Sequence, residues 1–304
     1  MPKANQGTVL IGAVASLWCA LTVASAQSEP LVLEAKIPLG AVSGRIDHMA
    51  IDLARKRLFV AELGNDSIGV VDLDLRKVLR TISGLKEPQG VGYVAATDAL
   101  FVANARDGSV RMYRGATYVP AGQIDLGDDA DNIRVDAVAN RLFVGYGGGA
   151  LAVIDTASHA KIAEIRLKGH PEGFQLDPGG RFAYVNVPDA HEIALVDRDA
   201  GGQIANWPTP GAAGNFPMTF DQDGKQVLAV FRSPALLGVY AAVDGKLVKS
   251  LPVCGDSDDL FVDAGRHRLY VSCGAGFVDV LDTQGGAYKP IARLPTVSGA
   301  RTSL

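Results

Sequence analysis

The sequence predicts an all-β propeller, one domain of repeated four-stranded blades. Three observations predict it: a repeat near 42 residues, two recurring apolar strands in each repeat, and a composition rich in glycine and poor in charge. Of 304 residues, 35 are glycine, 48% are hydrophobic and only 20% are charged, which suits many short strands joined by tight turns. The second strands of the repeats read LFVAE (58–62), LFVAN (100–104), LFVGY (142–146), FAYVNV (182–187), VLAVF (227–231) and LYVSC (269–273). The third strands read IGVVD (68–72), VRMY (110–113), LAVID (151–155), IALVD (193–197), LLGVY (236–240) and VDVLD (278–282).

The spacing makes these segments a periodic array. Leu58, Leu100 and Leu142 follow one another at 42 residues, and Asp136, Asp177, Asp221 and Asp263 at 41, 44 and 42. Four strands per 40–45 residues is the pattern of a propeller blade. Fourth, outer strands are expected at 78–82, 118–124, 161–165, 246–251 and 288–292. Strands apolar on both faces fit a sheet sandwiched between two neighbours. Turn residues such as Asp107-Gly108 and Asp223-Gly224 separate the strands. No linker interrupts the series, so residues 27–304 form a single propeller domain. Residues 31–38 read as an outer strand with no repeat before them, and 300–304 as the opening of a further inner strand. Seven four-stranded blades with the last truncated are therefore expected. A six-bladed ring is the alternative, and it leaves 31–39 without a seat.

The LFVAN and LYVSC strands, with IGVVD and LAVID at this spacing, resemble the YVTN/YncE-like propeller family over about 31–304. The resemblance implies a propeller scaffold and export from the cytoplasm. Its members serve varied roles, and a scaffold does not transfer activity. The strands depart from the Tyr-Val-Thr-Asn pattern, with Asn at the strand end only in Asn104 and near it in Asn186.

Residues 1–26 are expected to be a signal peptide: Lys3, an apolar stretch from about Val9 to Val23, then Ala24-Ser25-Ala26. Cleavage after Ala26 implies a periplasmic or secreted protein with no membrane span. The formal net charge is −4, and loss of Lys3 makes it one unit more negative. An acidic chain without a basic run disfavours nucleic acid as a partner. Cys254 and Cys273 would lie at the same end of one hairpin, where an exported protein is expected to form a disulfide. The expected state is a monomer.

Aligned on the Asp that ends each inner strand, one column holds Asp47, Gln89, Asp131, Glu172, Phe216 and Asp258. The next position holds His48, Gly90, Asn132, Gly173, Pro217 and Asp259. Two places before the first column stand Arg45, Glu87, Asp129, His170, Gly214 and Asp256. If these columns face the axis, carboxylates and imidazoles converge at the channel mouth. Asp131, Glu172 and Asp258 become candidate ligands of a divalent cation, calcium or similar. Asp47, His48, Glu87, Gln89, Asn132, His170 and Arg301 become candidate ligand-binding residues. Acids at strand entrances also serve simply to bind turn amides, so a solvated rim is the competing reading.

No C-x-x-C-H, phosphate loop or nucleophile elbow is present. Two functions follow as expectations. One is a non-catalytic propeller whose channel mouth binds a small ligand, a metal ion or a protein partner. The other is a metal-dependent, lactonase-like hydrolase or lyase with the ion at the mouth.

Overall fold

The computed structural model describes residue 1, residues 30–221 and residues 223–304. The expected signal segment otherwise lies outside the described residues. Six antiparallel sheets of four strands follow one another along the chain. The first blade is β1 (Met49–Asp52), β2 (Arg57–Glu62), β3 (Ser67–Asp72) and β4 (Lys77–Ser83). The second is β5 (Pro88–Val94), β6 (Ala99–Asn104), β7 (Ser109–Arg114) and β8 (Pro120–Asp125). The third is β9 (Ala130–Asp136), β10 (Arg141–Tyr146), β11 (Ala150–Asp155) and β12 (Lys161–Arg166). The fourth is β13 (Phe174–Leu176), β14 (Phe182–Val187), β15 (Glu192–Asp197) and β16 (Gly202–Pro208). The fifth is β17 (Ala213–Phe220), β18 (Gln226–Ser233), β19 (Ala235–Ala241) and β20 (Leu247–Pro252). The sixth is β21 (Ser257–Asp263), β22 (Arg268–Cys273), β23 (Phe277–Asp282) and β24 (Lys289–Pro295). Among the described residues no helix is long and apolar enough to cross a membrane.

Alternation along each strand builds the core. In β6, Leu100 and Val102 pack with Phe59 and Ile68 of the first blade, whereas Phe101 and Ala103 pack with Leu142 and Val144 of the third. One strand therefore supplies two cores, which requires apolar residues on both faces. Five such apolar clusters fill the junctions between consecutive blades, from first–second to fifth–sixth. Among the described residues none fills the junction between sixth and first.

The recurrent strand-ending Asp is a turn device. Oδ1 of Asp52, Asp72, Asp136, Asp197 and Asp263 accepts the backbone N–H three residues on, at 2.7–3.1 Å. Such side-chain turns close the hairpins without a long loop.

The expected seven blades are corrected to six. Residues 31–38 form no strand; Glu34 instead pairs with Arg76 at 2.6 Å, and Ser43 N–H donates to Asn65 Oδ1 at 3.1 Å. Residues 300–304 form no strand either; Ser303 N–H donates to Asp259 Oδ2 at 2.7 Å. A strand needs a ladder partner for its backbone groups, and neither segment has one. The outer strand β16 was not read from the sequence, because Gly202 and Pro208 at its ends masked its alternation. The Cys254–Cys273 disulfide is present, with Cα atoms 5.8 Å apart. It ties the approach to β21 to the end of β22.

Candidate functional site

The innermost strands β1, β5, β9, β13, β17 and β21 begin at one end of the channel. Asp47, Gln89, Asp131, Glu172, Phe216 and Asp258 all line a cavity of about 220 Å³ there, so the aligned column converges as expected. Arg45, His48, Asp129, His170, Arg232 and Arg301 complete its wall. Local backbone geometry explains the convergence. Bulges interrupt the pairing of β5, β9, β17 and β21 with their second strands near the mouth. A bulge bends the strand and re-aims its side chains. Glycine allows the inner strands to approach: a Cβ on Gly90 would lie 2.0 Å from Asp131 O, and one on Gly173 2.3 Å from Phe216 O. Gly173 N–H donates to that same Phe216 oxygen at 3.0 Å, joining fourth and fifth blades.

The preceding column has a backbone cause as well. Glu87, Asp129, Gly214 and Asp256 all adopt positive φ, between 28° and 68°. Gly and Asp tolerate that conformation better than branched residues. Glu87 is not brought to the mouth; its carboxylate pairs with Arg106 at 2.8 Å. Asn132 is buried just below the mouth, donating to Asp131 Oδ2 at 3.3 Å.

Guanidinium groups hold much of the acid. Arg232 lies 2.6 Å from one Asp258 oxygen and Arg301 3.0 Å from the other. Arg301 also reaches Asp256 at 3.0 Å, and Arg45 reaches Asp47 at 2.9 Å. Arg232 further stacks on Phe216, 3.7 Å from the ring centre. The mouth is thus zwitterionic, with cations interleaved among carboxylates. Arg232 was missed in the sequence because it lies just past the apolar run 227–231 for which β18 was read. Among the described residues, no three His, Cys, Asp or Glu side chains are grouped to hold a metal ion.

The histidines sit between acids. His170 Nδ1 lies 2.6 Å from Gly147 O and 3.7 Å from Asp129, and its Nε2 lies 3.8 Å from Asp131 Oδ2. Burial pulls its pKa down, but Asp131, the Gly147 carbonyl and Asp129 outweigh it and push it up to about 9. His48 is 4.0 Å from each of Asp47, Asp131 and Asp259. Burial opposes its charge, yet those three acids raise its pKa above the usual value.

Burial raises Asp131 too, but the two histidines win and hold it below the usual carboxylate range. The Glu172 carboxyl has no ion-pair or hydrogen-bond partner among the described residues, and burial together with the charges of Asp131 and Asp258 pushes it up to about 8. Asp131 is only 5% exposed, and its Oδ1 accepts no hydrogen bond. A buried acceptor without a hydrogen bond costs about 1–3 kcal/mol, which the charge of the His48 imidazole, 4.0 Å away, offsets in part.

Below the mouth the channel widens into a chamber of about 320 Å³. His48 lines both spaces and the narrow region between them. Arg134, in β9, enters the chamber from two residues beyond Asn132, as the period of a strand requires.

In comparison with solved structures, the chain is similar to a chain of Kuenenia stuttgartiensis hydrazine synthase. The TM-score is 0.76 at 18% identity, covering 84% of this chain and 88% of that one. That likeness establishes the propeller fold. No family model and no curated protein matches the chain.

Proposed function

We propose that this protein is an exported, YVTN/YncE-like propeller that binds a small polar ligand at its channel mouth without catalysing a reaction. The strand motifs support the family, and the Cys254–Cys273 disulfide supports an oxidising compartment. The observation that carries the binding reading is the polar cavity of about 220 Å³ in which Asp47, Asp131, Glu172 and Asp258 stand among Arg45, Arg232 and Arg301. A ligand hydroxyl or ammonium group would donate to those carboxylates. The neighbouring Arg45, Arg232 and Arg301 offer donors to the ligand's own acceptors. A small zwitterion or polyol has both kinds of group.

The test is a thermal-shift screen of amino acids, sugars and polyols against wild type and Asp131→Asn. A compound that stabilises the wild type but not the variant supports the reading. Failure of every such compound to bind, with the protein folded, overturns it. Elemental analysis of protein purified without chelators is the companion measurement. A stoichiometric ion lost in Glu172→Gln would favour the hydrolase or lyase instead.

A further inference from the structure

We propose that the chamber beneath the mouth is a separate subsite for a small organic carboxylate with an apolar tail, held by Arg134. The inference rests on Arg134 and not on the mouth groups, so the two readings can fail independently.

Arg134 is a channel cation without an anion. Its Nη1 donates to Ile133 O at 2.8 Å and to Asn132 Oδ1 at 3.3 Å, and its guanidinium lies 5.4 Å from the Phe174 ring centre. No carboxylate among the described residues lies within ion-pair distance of it, although ion pairs engage Arg45, Arg232 and Arg301 nearby. Among the described residues its Nε and Nη2 have no acceptor, and neither is sealed from the cavity. A guanidinium edge with free donors matches a carboxylate bidentately.

The closest acids are already engaged. Asp259 accepts Ser303 N–H at 2.7 Å and faces His48, while Asp131 faces His48 and His170. Met49, Ile51, Val91, Ile133, Val135 and Phe261 give the chamber an apolar part, beside the polar groups of His48, Gln175 and Asp259. A polar end and an aliphatic wall in about 320 Å³ suit a short-chain or aromatic monocarboxylate. A hydrophilic zwitterion, by contrast, would leave the wall poorly covered.

The experiment is a ligand-observed NMR titration of the full chain with sodium hexanoate, hexan-1-ol and hexylamine. These probes share one tail and differ in the head group. Hexanoate is expected to bind at least about tenfold more tightly than either control. Arg134→Gln should weaken it by about thirtyfold, Arg134→Lys should retain part of the affinity, and Asp131→Asn, which removes a negative charge acting on Arg134, should not weaken it. Equal binding of all three probes, no binding of hexanoate, or full affinity in a folded Arg134→Gln would overturn the proposal. So would loss of hexanoate only in Asp131→Asn, which would put the acid in the mouth. If Arg134→Gln does not fold, Arg134→Lys and the wild-type probe series decide.

Discussion

At the scale of single residues, the mouth is defined by groups whose protonation is displaced from the ordinary. Glu172 titrates near 8 in the folded chain, against a usual value of 4.5. The folded state therefore keeps a proton that the unfolded state has lost, and stability falls as pH rises between those two values. Glu172→Gln removes that liability. It should stabilise the protein by on the order of 2 kcal/mol at about pH 9 and change little at about pH 4, as urea denaturation would read. A gain of equal size at both pH values would show that the carboxyl is not held neutral. His170 contributes in a related way. Its raised value means that its stabilisation is complete below about 6.5 and lost as pH climbs through about 9. In Asp131→Asn the imidazole should titrate nearer 6.5, followed by its ring proton resonances. A value still near 9 would shift the credit to Asp129 and the Gly147 carbonyl.

At the scale of strands, close approach is what the inner columns require. A side chain on Gly173 would meet the Phe216 carbonyl that its own N–H binds. Gly173→Ala should cost about 1–3 kcal/mol, whereas alanine at Gly201, with nothing within 4 Å of a Cβ, has only its left-handed φ to oppose it. Comparable losses at both would argue against a steric seam between fourth and fifth blades. Replacing both Cys254 and Cys273 by serine should lower stability by about 2–4 kcal/mol in oxidising buffer. The same pair should make no difference in the presence of reductant.

Much of this level was legible in the chain. The repeat placed the second and third strands, and the column of Asp47, Gln89, Asp131, Glu172, Phe216 and Asp258 does share one cavity. Glu87, two places earlier, does not line that cavity, its carboxylate being paired with Arg106. Arg232 and Arg134 escaped because a sequence column shows position along a strand and not how far a long side chain travels.

At the scale of the whole molecule, the ring is uneven. Five junctions are filled by apolar clusters, and the sixth, between β21 and β1, is bordered by polar contacts of Arg301 and Ser303. Terminal members of a stacked array have one packed neighbour instead of two. Amides of β1 and β21 should therefore exchange with deuterium faster than those of β5 and β9, measured by mass spectrometry on peptides. Uniform protection around the ring would show that the polar junction is as tight as the others. The blade count also belongs to this scale. Local repeats specify each blade, but closure depends on whether terminal segments find a partner, and a period alone does not carry that information.

The position of His48 has a mechanical consequence. Its ring comes from the first blade and stands 4.0 Å from Asp259 of the sixth, directly across the weakly packed seam. Whatever occupies the channel beside it touches both lips of that seam. Such an occupant acts as a clasp, and its presence would be felt as stiffening of blades it never contacts.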